Sequence, residues 1–143
     1  MTGRSFIAAI FAILVMAGDG HAAFADVVVI VSPKSPLTSL SKYHVADIFL
    51  GRINRLSNGE PVVPVDLSEG SPVRDAFYLE FTGKSPAQLK AYWSRLIFTG
   101  RGRPPVDVAD AKAMKTMVAR NPDAIGYIDS KMVDDTVRVL TIK

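Results

Sequence analysis

The stretch of this sequence best suited to chemistry is Asp66-Leu67-Ser68-Glu69-Gly70-Ser71-Pro72. A strand ends there, a glycine and two serines follow, and a helix is expected to start at Ser71 or Pro72. Such a junction points free backbone N–H groups, and the positive end of a helix dipole, at whatever sits above the loop. Ser68 and Ser71 add hydroxyls, Gly70 and Ser71 offer N–H groups, and Arg74 lies in the first helical turn. Together these residues suit a small oxyanion. Spacing alone leaves a second reading equally open, in which Ser71 simply caps its helix and Glu69 is solvated.

Other chemistries find little material. The sequence has no cysteine, which removes disulfides, thiolate metal sites and cysteine nucleophiles together. His44 lies between Tyr43 and Val45 in a helical pattern, with no serine or carboxylate at a triad spacing, and reads as a partly buried structural histidine. No clustered ligand set suggests a metal or another cofactor, and Asp134-Asp135 reads as a solvated turn. An enzyme is therefore not expected. Arg101-Gly102-Arg103-Pro104 spells the core of an AT-hook, whose arginines lie in the minor groove of DNA. A net charge of +3 is thin for a nucleic-acid binder, and the tetrapeptide sits inside an ordered pattern, so it reads as a tight turn.

The elements that must position the loop are legible in outline. Val27-Val28-Val29-Ile30-Val31 is a β-branched run, as in a strand covered on both faces. Ser41 to Leu50 fits a short amphipathic helix with Tyr43, Val45, Ala46, Phe49 and Leu50 on its apolar side, stopped by Gly51. Val62 to Leu67 reads as a strand, and Ser71-Pro72 opens a helix to Phe81 that Gly83 closes. Ser85-Pro86-Ala87-Gln88 is a capping box for a helix to about Phe98. Gly100 to Pro105 is a stiff basic loop, and Asp107 or Asp110 caps a further helix through Arg120. Ala124 to Asp129 and Thr136 to Ile142 close the chain as strands. The order predicts a single three-layer α/β domain with a mixed β-sheet covered by helices.

The N-terminus carries a separate message. Phe6 to Ala17 is an unbroken apolar run behind Arg4, and Ala23-Phe24-Ala25 supplies the small-x-small pattern that signal peptidase reads. A membrane-spanning helix needs ~20 apolar residues, so this run is too short to span. Residues 1–25 are thus expected to be a cleaved secretory signal, leaving residues 26–143 as one periplasmic domain without stable membrane insertion.

Several blocks resemble a known family. Ala46-Asp47-Ile48-Phe49-Leu50-Gly51-Arg52-Ile53, Pro61 to Asp66, Glu69-Gly70-Ser71 and Ala124-Ile125-Gly126-Tyr127-Ile128 are similar to segments of the periplasmic phosphate-binding proteins of ABC transporters. The short single-domain members resemble it more closely, at Glu69 to Tyr78, Ala91 to Pro105 and Ala124 to Asp129. The resemblance implies one lobe of a type II periplasmic binding protein, a phosphate-like ligand, no enzymatic activity, and an ABC permease or an envelope sensor as partner.

Carried over residue by residue, the resemblance is incomplete. Gly70 and Ser71 match the Gly-Ser of the family's phosphate loop, and Glu69 stands at its aspartate. Leu67, Pro72 and Val73 fall where that loop has arginine, glycine and threonine, so a cation, an N–H and a hydroxyl are absent. Arg74 or Arg101 is expected to supply the cation. Micromolar binding needs ~8 kcal/mol, whereas a helix N-terminus gives an exposed anion only ~0.3–1 kcal/mol. The implied affinity is therefore weak, in the millimolar range. The rival expectation is an adaptor that kept the lobe and lost its ligand.

Overall fold

A computed structural model describes residues 26–143, and the expected leader over 1–25 lies outside the described residues. The strands are β1 (Val27–Val31), β2 (Ser39–Leu40), β3 (Val63–Leu67), β4 (Val106–Val108), β5 (Ala124–Asp129), β6 (Arg138–Val139) and β7 (Thr141–Ile142). The helices are α1 (Lys42–Phe49), α2 (Pro72–Thr82), α3 (Pro86–Phe98) and α4 (Ala111–Arg120). A mixed five-stranded sheet runs in the order β4-β3-β5-β1-β6. β3 is parallel to β4 and β5, while β1 is antiparallel to β5 and β6. The strands expected near Val27, Val62 and Ala124, and the β6 part of the one expected over 136–142, thus share one sheet.

β5 shows how the three layers form, because neighbouring residues on a strand face opposite ways. A Cβ added at Gly126 would lie 2.5 Å from Met114 Sδ and 2.9 Å from Val118 Cγ2, so α4 packs directly on that face. Tyr127 points to the other face, where its ring stacks on Phe77 with centroids 3.9 Å apart and meets Phe49 edge-on at 5.7 Å. α1 and α2 therefore cover the second face, with Ile48, Phe49, Phe77 and Tyr78 almost wholly buried. β1 is buried along nearly its whole length, as its β-branched run requires.

The helix boundaries follow the caps. Ser71 accepts from the Arg74 N–H and Pro72 opens α2, which Gly83 ends in the left-handed conformation. Ser85 and Gln88 form the expected reciprocal box on α3. Asp110, rather than Asp107, caps α4, because Asp107 belongs to β4.

Four expectations need correction. β4 was not expected, since three residues between a Pro-Pro pair and a helix cap give no periodicity to read. The strand expected over 136–142 divides into β6 and β7, because Leu140 donates its N–H to Val29 and the chain then pairs with β2 in a separate two-stranded sheet. Tyr43 is 84% exposed, outside the apolar stripe of α1. His44 is also exposed, its Nδ1 2.8 Å from the Ser41 hydroxyl that caps the helix.

Candidate functional site

Asp66 lies near the end of β3, buried, at the head of the loop that leads into α2. Its carboxylate is held from every side. Oδ1 accepts from the Leu67 N–H at 2.9 Å and from the Tyr127 hydroxyl. Oδ2 accepts from the Tyr78 hydroxyl at 2.8 Å and from Arg74 Nε at 3.3 Å. Burial raises the Asp66 pKa above its ordinary value of 3.8, and the two phenols and Arg74 only partly offset it. Burial and then the field of Asp66 push both tyrosines far above their usual range, so they remain donors.

Arg74 is fixed by this network. Burial is the largest single influence and opposes its charge, but Asp66 and then the neighbouring Tyr78 and Tyr127 together outweigh it and hold the pKa above its ordinary value. Its guanidinium lies 5.2 Å from the Tyr78 ring centroid. Among the described residues only Nε is hydrogen-bonded, so its other donors remain for a ligand.

An open cleft of about 330 Å³ lies beside this group. Asp66, Leu67, Glu69 and Arg74 line one side, Lys90, Trp93, Ser94 and Ile97 of α3 a second, and Pro104, Pro105 and Asp107 a third. That volume is at the small end of ligand sites. Lys90 sits 3.6 Å from Glu69 in an exposed ion pair. Trp93 is 6% exposed, and its Nε1 is buried without a hydrogen-bond partner among the described residues. An unsatisfied indole donor costs ~1–3 kcal/mol, and this one belongs to a residue of the cleft wall.

The structure brings some of the candidate residues together and not others. Of the candidate residues Arg74 alone lines the cleft, while Gly70, at φ +94°, follows the lining residue Glu69 without itself reaching it. The Ser71 hydroxyl caps α2 at 3.2 Å from the Arg74 N–H, and its own N–H donates to the Ser68 carbonyl. The Ser68 hydroxyl donates to Asp107 at 2.9 Å and to the Val108 carbonyl at 3.2 Å, tying the loop to β4. Arg101 lines a separate shallow depression with Ile97 and Arg103, apart from the cleft that holds Arg74.

Sequence reasoning passed over Tyr78, Tyr127, Lys90 and Trp93. Tyr127 lies 61 residues from the carboxylate it binds, a pairing that only the parallel β3–β5 alignment creates. The single tryptophan was the one local signal for the cleft wall.

No protein-family model matches the sequence, and comparison with curated proteins finds no match either. Solved structures do resemble the fold. A phosphate ABC transporter substrate-binding protein with bound phosphate from Clostridium perfringens matches with TM-score 0.63 and 25% identity, covering 81% of this chain and 44% of that one. An ABC-type phosphate transport receptor from Vibrio cholerae matches with TM-score 0.58 and 20% identity, over 81% and 45%. A possible phosphate-binding protein from Planctomyces limnophilus matches with TM-score 0.63 and 14% identity, over 82% and 41%. The chain thus spans less than half the length of each of these neighbours. Its α/β fold is similar to part of the substrate-binding proteins of phosphate ABC transporters.

Proposed function

We propose that the protein is a non-enzymatic binding module that holds phosphate, or a closely similar oxyanion, weakly in the cleft beside Gly70 and Arg74. One observation carries this reading: a cleft with Arg74 and Lys90 in its walls opens at the N-terminus of α2, in a fold similar to that of a phosphate-bound protein. Arg74 is pre-positioned by Asp66, so little side-chain ordering is left to oppose binding. Glu69 and Asp107 also line the cleft, which disfavours a fully ionised anion but lets a protonated one donate to a carboxylate. Hydrogen phosphate has such a proton and sulfate does not, so phosphate is the expected preference.

Export and work beside an ABC permease belong to the same proposal, supported by the Phe6–Ala17 run and the Ala23-Phe24-Ala25 pattern. The second reading is an adaptor without ligand. Asp66 already engages Arg74, and Asp107 already engages Ser68, which favours it.

Trp93 is the only tryptophan, so emission reports on the cleft directly. Titration with phosphate is expected to change it with a Kd on the order of 1 mM, equivalent to ~4 kcal/mol, and sulfate to bind more weakly. Lys90→Ala removes an exposed cation worth ~1 kcal/mol or less and should weaken phosphate by up to about fivefold. An unresponsive parent protein, by emission and by calorimetry, would favour the adaptor.

A further inference from the structure

From Phe81 to Val106 the sequence contains no acid, yet it carries Lys84, Lys90, Arg95, Arg101 and Arg103. The rest of the described chain holds more acids than bases, so positive charge is concentrated on α3 and the loop after it. Lys90 is paired with Glu69, and Lys84 lies 5.0 Å from the Tyr92 ring centroid. Arg95, Arg101 and Arg103 are exposed and form no salt bridge among the described residues. Between them Phe98 is 93% exposed and Ile97 56% exposed.

This tip is not loose. Arg101 donates its N–H to Leu96 at 2.9 Å and Gly100 donates to Ile97 at 3.1 Å, folding the loop back onto α3. Arg95 and Phe98 are helical neighbours at i and i+3. Ile97, Arg101, Arg103 and Pro104 line one depression at the end of α3.

We propose that this tip is a docking face for an anionic lipid surface. Arginines without acidic partners call for a negatively charged counterpart, and adjoining exposed Ile97 and Phe98 among them give the basic and apolar combination that an anionic lipid interface binds. Phe98 protrudes instead of lining a groove. A rigid protein partner would need a matching pocket, whereas the boundary between headgroups and acyl chains admits a ring anywhere while arginines stay at the phosphates. No helix among the described residues is long and apolar enough to cross a membrane, so the contact is interfacial. This face shares Ile97 and Pro104 with the cleft but does not depend on a ligand there.

The test uses the full chain with Phe98→Trp, read as the difference from the parent protein on the same vesicles so that the Trp93 signal is subtracted and the tip reports. Its emission is expected to shift to the blue on vesicles of phosphatidylcholine mixed with phosphatidylglycerol, and not on phosphatidylcholine alone. Each basic residue near such a surface contributes about fivefold in partitioning. Adding Arg101→Ala and Arg103→Ala should therefore weaken vesicle binding roughly twentyfold or more. An equal shift on neutral vesicles, or none on anionic ones, would overturn the proposal. So would release by free phosphate, which would mean capture of a headgroup in the cleft. A shift with soluble polyaspartate but not with vesicles would assign the face to an acidic protein instead.

Discussion

Asp66 and Arg74 set the electrostatics of the cleft, and each depends on the other. Arg74→Met removes the one cation that, among the described residues, is bonded to the buried Asp66 carboxylate, and breaking a buried pair by deleting one partner costs ~3–5 kcal/mol. Here Tyr78, Tyr127 and the Leu67 N–H remain, so the lower end, about 3 kcal/mol, is expected in urea unfolding. Two carboxyls act oppositely on acid stability. The Asp66 pKa is raised by burial, so the native state binds that proton more tightly than the unfolded chain. Its contribution is complete below 3.8 and declines as pH rises through the folded value. The Asp134 pKa is lowered to about 2, by the Lys115 ammonium and then the Thr136 hydroxyl and N–H. Its contribution is present above 3.8 and is lost as pH falls toward 2. Asp134→Asn should therefore flatten the loss of stability below pH 4, as followed by circular dichroism, and steepen nothing above it. Sequence reasoning placed Asp66 at the strand end that leads into the loop but could not see its role, because Arg74, Tyr78 and Tyr127 come from α2 and β5.

Helices and strands were more legible than contacts, for a physical reason. Caps are local: Ser71-Pro72 and Ser85 with Gln88 each declare a helix start within four residues, and both are where the sequence put them. Ser71→Ala should cost ~1 kcal/mol as a lost cap, visible as a lower Tm, without weakening phosphate. β4 and the β6–β7 break are set instead by what lies alongside in space, namely β3, β1 and β2. Gly126 shows the same limit. Its neighbours Met114 and Val118 are fully buried on α4, so Gly126→Ala overpacks a filled interface. Overpacking of that kind costs ~1–3 kcal/mol, and chemical denaturation should find the loss with the sheet intact.

At the scale of the molecule, the five-stranded sheet brings the end of β3, the start of α2 and the side of α3 around one cleft, while the end of α3 and the loop after it form an adjoining basic tip. The resemblance of the sequence blocks to phosphate-binding proteins pointed to this fold, and the solved structures match it over about four-fifths of the chain. What the blocks could not show is that Arg74 and Arg101 line different depressions, since their relative placement is set by how the loop from Gly100 to Pro105 folds against α3. The most direct test of the central claim is a phosphate titration followed residue by residue in 1H–15N NMR spectra. Saturable shifts in the millimolar range, concentrated on Glu69 to Arg74 and on the Lys90 and Trp93 region, are the expected result. A spectrum that does not respond, or one in which only Arg101 and Arg103 move, would contradict it.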